Sequence, residues 1–361
     1  MKVAIVGAGI CGSVLAYECI KRQYDVTVYE KQIAPDIHKK TCSYTAAGML
    51  APMAELESTN LDIYHLGLRS LELWAEIVSE LSQLGHSIFY RDNGTLVLTH
   101  GQDKGSFKQF YNAIKHKLDD VEDHARMITT TDAESELTNF QHALYLKNEA
   151  QVDSHHVLKA LHQVISQKGH FKYETAEVLK PNNVNGELFD WVFDCRGLAA
   201  STDMKLYGVR GERILLYAPE VNIQHMIRLM HPKYRLYIVP RENHHYLIGA
   251  TEIESSDDGP ISVRSALELL TAVYSVHKGF AEARIVDMRT GIRPTRLDHQ
   301  PIIDEKNGLT RINGLYRHGY LLTPALIEKA LAPSTLFTHL NNNLSAKLST
   351  QLVSKTFSEL N

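Results

Sequence analysis

The first residues with a chemical signature are the glycines of residues 7–12, which read Gly-Ala-Gly-Ile-Cys-Gly. In this G-x-G-x-x-G spacing the first glycine permits a tight turn and the second lets a pyrophosphate approach the backbone. The third glycine lets a helix and a strand pack closely. The anion would lie at a helix N-terminus, where N–H groups and the helix dipole favour it. The residues predicted to contact the dinucleotide are Gly7, Gly9, Ile10, Cys11 and Gly12.

An acidic residue follows at the spacing that dinucleotide binding needs. Glu30 lies eighteen residues after Gly12, at the end of an apolar run, and is placed to accept hydrogen bonds from a ribose diol. Lys31 follows it and is included in the predicted site. The alternative is a glycine turn that serves packing alone. Because FAD and NAD share this fingerprint, the turn does not choose between them.

A run of small residues comes next, and it could line a flat ring. Residues 41–52 read TCSYTAAGMLAP and carry no charge. Such a segment suits a backbone that lies against a planar ring system, and a surface loop of small residues is the alternative. The predicted contacts within it are Cys42, Ser43, Ala47, Gly48 and Met49.

The elements that would position these residues follow from hydrophobic periodicity. Lys2–Val6 and Asp25–Glu30 are typical of strands, and Ser13–Lys21 of the helix between them, which predicts a parallel βαβ unit. An amphipathic helix is predicted from Ile63 to Leu84, followed by Gly85 as its C-terminal cap.

Later segments change in character. Phe89–Thr99 predicts a hairpin around Asn93–Gly94, and Val209–Glu252 predicts several antiparallel strands. Thr323–Pro324 predicts the start of a helix. Together these patterns predict an α/β nucleotide-binding domain interrupted by an α+β insertion with a mostly antiparallel sheet.

Composition excludes several classes of function. The chain has 361 residues and a formal net charge of −4, which provides no basic excess for nucleic acid. No apolar stretch approaches the roughly 20 residues that span a bilayer, and a strand at the N-terminus leaves no room for a signal peptide. Four cysteines without CxxC spacing suit a reducing cytoplasm. Nineteen histidines show no HExxH motif or Cys/His cluster, so no metal site is expected.

Several segments together resemble the glycine oxidases that serve thiamine biosynthesis, in the D-amino-acid-oxidase superfamily. They occur in the family's order and spacing and cover nearly the whole chain. The segments are TCSYTAAGMLAPMAELES, QVDSHHVLKAL, WVFDCRG, YIVPR, LIGATEIES, GIRP and LYRHGYLLTPA. The resemblance implies FAD as cofactor. Because no cysteine follows Cys195, the cysteinyl–flavin bond of monomeric sarcosine oxidases cannot form at the C-terminal side, and the FAD is expected to be non-covalent.

The resemblance also implies a division into domains and further cofactor contacts. A Rossmann-type FAD-binding domain would comprise residues 1–85, 150–208 and 288–361, interleaved with a substrate-binding domain of 86–149 and 209–287. The helix that begins at Thr323–Pro324 would direct its N-terminus at the pyrimidine end of the reduced flavin, and an ordinary capped helix without this role is the alternative. The implied contacts are Val178, Leu315, Tyr316, Arg317, His318, Gly319, Tyr320 and Leu321.

Three residues would recognise the substrate. Arg293 matches the family arginine that holds the substrate carboxylate, which a planar guanidinium does through two parallel hydrogen bonds. Arg317 matches a second arginine near the carboxylate and flavin, and Tyr237 matches a tyrosine that orients the substrate. Taken singly, each has an ordinary structural explanation, as a solvated or paired arginine or a core tyrosine. The chain departs from residues common in relatives at Cys195, Arg196, Glu252, Leu315 and His318. Arg196 leaves the local packing open, and Glu252 leaves the polarity of the pocket open.

The implied reaction is the oxidation of glycine to an imine by hydride transfer, then hydrolysis to glyoxylate and ammonia. Molecular oxygen would reoxidise the flavin and release hydrogen peroxide. Relatives suggest a homo-oligomer, a tetramer, and a functional link to thiazole synthase. Sarcosine and small D-amino acids stay open as substrates. The alternatives are another amine oxidase or dehydrogenase of the superfamily, including the tRNA-modifying kind, an NAD-dependent dehydrogenase, and a non-catalytic FAD-binding assembly protein.

Overall fold

The computed structural model describes residues 1–31, 41–176, 179–231 and 236–332; the predicted contact Val178 lies outside the described residues. The strands are β1 Lys2–Val6, β2 Asp25–Tyr29, β3 Met49–Leu50, β4 Tyr90–Arg91, β5 Thr95–Thr99, β6 Ala125–Thr129, β7 His142–Leu146, β8 Ala150–Val152, β9 His170–Lys172, β10 Leu179–Lys180, β11 Asn183–Val184, β12 Glu187–Leu188, β13 Trp191–Asp194, β14 Tyr207–Tyr217, β15 Met226–Met230, β16 Leu236–Pro240, β17 His245–Gly249, β18 Ile253–Glu254, β19 Arg284–Thr295, β20 Ile302–Lys306 and β21 Leu309–Asn313. The helices are α1 Ile10–Lys21, α2 Cys42–Thr45, α3 Pro52–Glu55, α4 Leu61–Gln83, α5 Lys104–Lys117, α6 Val121–His124, α7 Thr130–Ala133, α8 Ser154–Lys168, α9 Ser201–Met204, α10 Val263–Val276 and α11 Gly319–Ala330.

The first large sheet is a nucleotide-binding sheet. Its strand order is β20-β21-β13-β1-β2-β9 among the described residues. Strand β1 pairs in parallel with β2 and with β13, which confirms the predicted βαβ unit. Residues 7–12 therefore follow the carboxyl end of β1, and Glu30 follows the end of β2. Ligands of open α/β sheets bind at this edge.

The second large sheet is mostly antiparallel, so the predicted fold class is confirmed. Its order is β18-β14-β17-β16-β15-β5-β7-β6, with β19 paired to β14. Only the β5–β15 pair runs parallel among its described pairs. A domain boundary at residue 288 falls inside β19, and the pairing of Thr295 with Tyr207 favours a boundary after Thr295. The division into domains remains a proposal.

The predicted hairpin in Phe89–Thr99 is wrong. Strand β4 pairs with β8, whereas β5 pairs with β15 and β7 in another sheet. Residues 95–98 of β5 are completely buried. The buried backbone groups of β5 need hydrogen-bond partners along both edges, and β15 and β7 supply them. The Asn93–Gly94 turn is present, with a φ of +83° at Gly94, but it redirects the chain between two sheets.

Helix α11 begins at Gly319, one turn before the predicted start at Thr323–Pro324. Thr323 is not an N-cap, because its hydroxyl donates a 2.6 Å hydrogen bond to the carbonyl of Gly319 inside the helix. Pro324 has no N–H to give to the carbonyl of Tyr320. The indole nitrogen of Trp74 on α4 donates to that carbonyl instead, at 2.8 Å. The helix end near the cavity described below is therefore Gly319.

Candidate active site

A cavity of about 610 Å³ joins residues of both large sheets. Its volume lies within the range of about 300–1,000 Å³ that is usual for ligand sites. Of the predicted site residues that the structure describes, Gly12 alone does not line it. The predicted residues that do are Gly7, Gly9, Ile10, Cys11, Glu30, Lys31, Cys42, Ser43, Ala47, Gly48, Met49, Tyr237, Arg293, Leu315, Tyr316, Arg317, His318, Gly319, Tyr320 and Leu321.

The glycine turn forms one end of the cavity. Gly7 has a φ of +101°, and a Cβ on Gly12 would lie 1.9 Å from the carbonyl oxygen of Gly7. Gly12 thus serves the close packing of helix and turn, as its place in the motif predicts. Glu30 is buried and accepts a 2.9 Å hydrogen bond from the amide of Ala8. The hydroxyl of Ser43 accepts from the amide of Ile10 at 2.9 Å, which fixes the small-residue run against the turn.

Arg196, one of the departures from the family pattern, is anchored beside this end. Its guanidinium donates to both carboxylate oxygens of the fully buried Asp194, at 2.9 and 2.8 Å, and to Asp203 at 2.6 Å. Leu315 and His318 are also buried at the cavity wall. The departures are therefore accommodated by packing and ion pairing.

The small-residue run forms one wall of the cavity. Gly48 has a φ of +64°, and a Cβ there would lie 2.0 Å from the carbonyl oxygen of Val152, so the wall packs directly on β8. Arg241 donates to the carbonyl of Ala47 and forms a 3.1 Å ion pair with Asp153, which fixes the wall from behind. Thr45 and Ala46 also line the cavity and were not predicted.

Arg293, on β19, also lines the cavity. Both terminal nitrogens donate to the carbonyl oxygen of Thr251, each at 3.1 Å. A Cβ on Gly211 would lie 2.2 Å from the guanidinium, so the glycine on β14 makes the space that Arg293 occupies. No carboxylate of the described residues lies within ion-pair distance of Arg293. A half-buried guanidinium that has no acidic partner in the described part of the chain can bind a carboxylate ligand.

Arg317 lies in the same part of the cavity but already has acidic partners. Its terminal nitrogens lie 2.6 Å from Glu55 and 2.9 Å from Glu252, and one also donates to Ser58 at 2.8 Å. The hydroxyl of Tyr316 donates to the other oxygen of Glu252. These partners leave Arg317 less able than Arg293 to take a ligand carboxylate through two hydrogen bonds.

Glu55 is a residue that the sequence interpretation missed. It accepts a 2.8 Å hydrogen bond from the hydroxyl of Tyr237 while its other oxygen pairs with Arg317. It thereby connects two predicted substrate contacts. The sequence does contain a signal for this residue, because Glu55 is the one charged residue between Thr41 and Leu56.

Arg213 was also missed, and no pattern in the sequence indicates it. It is 2% exposed and lines the cavity. Across the sheet it pairs with Gly249, which pairs in turn with Tyr237, so the missing side chain at 249 leaves a gap between the two. Burial lowers the pKa of Arg213 to about 10, although Asp287, 3.1 Å away, opposes the shift.

The described ranges contain neither a grouping of metal-ligating side chains nor a membrane-spanning helix. Among residues 1–31, 41–176, 179–231 and 236–332, no three histidine, cysteine, aspartate or glutamate side chains are grouped so that they could hold a metal ion. In the same ranges no helix combines the length and the apolar character needed to cross a membrane.

The glycine turn, Glu30 after β2 and the uncharged wall of residues 41–52 fit a dinucleotide that carries a planar ring. The sequence profile of the DAO family of FAD dependent oxidoreductases matches residues 2–330. The chain belongs to this family. FAD is therefore its cofactor, and the alternative of an NAD-dependent dehydrogenase is excluded. This family assignment agrees with the resemblance of the sequence to the D-amino-acid-oxidase superfamily.

Several known proteins are similar to this chain over nearly its whole length. A Rhizobium etli protein with the provisional name thiamine biosynthesis oxidoreductase ThiO is 34% identical over 90% of this chain and 94% of its own. The glycine oxidase of Geobacillus kaustophilus is 25% identical, and its crystal structure superposes with a TM-score of 0.78 over 91% of this chain and 93% of that chain. Iminodiacetate oxidase from Chelativorans, 22% identical, has a TM-score of 0.78 over 92% and 94% and shows the fold alone.

Proposed function

We propose that this protein oxidises glycine to glyoxylate, ammonia and hydrogen peroxide, with sarcosine and small D-amino acids as further candidate substrates. The observation that carries the proposal is Arg293, a cavity-lining guanidinium without an acidic partner among the described residues. Bound FAD supplies the hydride acceptor for this oxidation and passes the electrons to molecular oxygen.

The residues of the cavity have separate roles in this proposal. Arg293 binds the substrate carboxylate and so fixes the position of the α-carbon, which is a positioning effect on the rate. Tyr237 orients the bound substrate through its hydroxyl. Glu55 holds Tyr237 at 2.8 Å and Arg317 at 2.6 Å, so that both keep their places when the cavity is filled. Arg317 contributes positive charge near the carboxylate.

The names of two similar proteins support glycine as the proposed substrate and thiamine biosynthesis as the proposed pathway. Glycine oxidase from Geobacillus kaustophilus matches 94% of this chain, and the Rhizobium etli relative is named for thiamine biosynthesis. We therefore infer a role in the supply of the thiazole precursor of thiamine, with a functional link to thiazole synthase. A cytoplasmic location fits the four cysteines, all of which are free. A homo-oligomer and non-covalent FAD belong to the same proposal.

Anaerobic mixing with glycine tests the proposal directly. Flavin absorbance should bleach in the wild type and much more weakly in Arg293→Ala, because the carboxylate loses its binding group. Arg284→Gln, at the exposed start of the same strand, is the matched control and should bleach like the wild type. If the protein is yellow but no amine from a panel of glycine, sarcosine, D-alanine and D-proline bleaches it, the catalytic proposal is wrong and a non-catalytic FAD-binding protein is favoured.

A further inference from the structure

Three backbone carbonyls beside the candidate site converge on one lysine. The ammonium nitrogen of Lys117 lies 2.7 Å from the carbonyl oxygen of Leu56 and 3.1 Å from that of Glu57. It also lies 2.7 Å from the carbonyl oxygen of Thr59. An ammonium group has three N–H donors and no acceptor, so these carbonyls match its full capacity to donate. Because hydrogen bonds from a charged donor are stronger than those between neutral groups, Lys117 fixes the backbone of residues 56–59.

The position of Lys117 is set by the apolar packing of α5. Lys117 is the last residue of this helix, and Ile114 precedes it by three residues on the same helical face. Phe110 and Ile114 are completely buried and belong to one core cluster with Leu56. A lysine buries its methylene stem along such a surface while its ammonium group reaches polar partners. The core therefore determines where the ammonium group lies, and the three carbonyls are held against it.

The segment that Lys117 holds carries two contacts of the candidate site. Glu55 accepts a hydrogen bond from the hydroxyl of Tyr237 at 2.8 Å and pairs with Arg317 at 2.6 Å. The hydroxyl of Ser58 accepts from Arg317 at 2.8 Å and donates to the carbonyl of Glu55 at 3.3 Å. A shift of this backbone would therefore move both groups that contact Arg317.

Lys117 acts on the site only through this segment. It is not among the residues that line the cavity. Ala54, just before Glu55, has its own hydrogen bonds to Glu149 and Arg228. The backbone is thus held on both sides of Glu55, with Lys117 on the side that leads to Ser58.

We propose that Lys117 is a positioning residue for the oxidation, which sets the places of Tyr237 and Arg317 through Glu55 and Ser58. The inference deepens the proposed function and rests on it. Small displacements of groups that orient a substrate slow a reaction strongly, even when the altered residue lies away from the chemistry. Loss of the ammonium group should therefore slow the oxidation while the FAD stays bound, because the glycine turn belongs to another part of the cavity.

The test replaces Lys117 by methionine, which removes the charge and all three donors. The rate of anaerobic flavin reduction at low glycine concentration should fall about tenfold in the Lys117→Met holoenzyme. Lys115→Met is the matched control, because Lys115 lies on the same helix and pairs with Glu122 at the surface; it should reduce like the wild type. Lys117→Gln keeps two N–H donors without the charge and should fall between the wild type and Lys117→Met. It also serves as the test variant if Lys117→Met does not fold.

A double-mutant cycle with Glu55→Gln distinguishes positioning from a loss of stability. If Lys117 acts through Glu55, its replacement slows flavin reduction less when Glu55 is already altered. A purely structural role lowers the free energy of unfolding and leaves the rate of the folded holoenzyme unchanged, which overturns the proposal. Equal factors in the two backgrounds also overturn it.

Amide hydrogen exchange tests the anchoring without any reaction. In Lys117→Met, peptides that cover residues 55–61 should exchange faster than in the wild type and in Lys115→Met, whereas peptides from α1 should not change. Unchanged exchange in residues 55–61 overturns the proposal. If no amine reduces the flavin, the oxidase proposal fails, and the exchange experiment still decides whether Lys117 fixes the segment that carries Glu55.

Discussion

Glu149 and Arg228 between them hold both backbone hydrogen-bonding groups of Ala54. The amide nitrogen of Ala54 donates to Glu149 at 2.6 Å, and its carbonyl oxygen accepts from Arg228. Both side chains are almost completely buried, at 2% and 1% exposure. Ala54 precedes Glu55, the residue that contacts Tyr237 and Arg317. Two buried ionisable side chains therefore anchor the segment that carries Glu55, a central residue of the candidate site.

Replacement of Arg228 by methionine should destabilise the protein strongly. Arg228 also pairs with Glu57 at 2.7 Å, so its loss leaves an acidic group and the Ala54 carbonyl without their buried partner. Removal of one member of a buried ion pair costs about 3–5 kcal/mol. Urea unfolding monitored by circular dichroism measures the change. The exposed Arg264→Met on α10 is the control, and equal losses in the two variants would show that Arg228 has no special anchoring role.

The stability of the protein should depend on pH through Glu149. Burial raises the pKa of this carboxyl group from 4.5 to about 7. Between these values the folded protein holds a proton that the unfolded chain releases, so the free energy of unfolding falls as pH rises through this window. At about 1.4 kcal/mol per pKa unit, the loss between pH 5 and pH 8 is on the order of 3 kcal/mol.

Glu149→Gln keeps the shape of the side chain and removes its titration. Urea unfolding at pH 5 and pH 8 should therefore show a smaller fall in stability for this variant than for the wild type. Glu76→Gln on the exposed face of α4 corrects for the loss of one negative charge. Parallel pH profiles for the wild type and Glu149→Gln would contradict the assignment.

Gly12→Ala should abolish FAD binding. The added Cβ would lie 1.9 Å from the carbonyl oxygen of Gly7, so the turn at the cavity end must shift. The measurement is the ratio of flavin to protein absorbance after purification, with added FAD as a second condition. Gly105→Ala on α5 has nothing within 4 Å of the new Cβ and should keep its FAD. A Gly12→Ala protein with full FAD content would mean that the turn adapts without loss of the site.

The hydrogen bond from Trp74 to the carbonyl of Tyr320 should contribute more to the free energy of unfolding with proline at position 324 than with alanine there. Trp74→Phe leaves the Tyr320 carbonyl buried without a donor, which costs about 1–3 kcal/mol. Pro324→Ala restores an N–H that can reach this carbonyl along the helix. In a double-mutant cycle, Trp74→Phe should therefore cost less in the Pro324→Ala background. Additive free energies of unfolding would show that the indole does not compensate for the proline.

The sequence by itself determined the nucleotide end of the protein. The glycines of residues 7–12, Glu30 at the end of β2 and the uncharged wall from Thr41 to Pro52 lie where local patterns place them. These features depend on periodicity and on conformations that glycine adopts most easily, both of which are local properties of the chain. The same reasons made the βαβ unit and the antiparallel strands predictable.

Only the tertiary structure decided the features that depend on distant partners. Strand β5 is central, not part of a hairpin, because β15 and β7 bury both of its edges. Helix α11 continues through Pro324 because Trp74, far away in sequence, supplies the missing donor. Arg317 meets Glu252, 65 residues before it, and Glu55 from yet another segment. Pairing of this kind follows from the packing of whole sheets and helices. A local pattern of residue types therefore does not predict it.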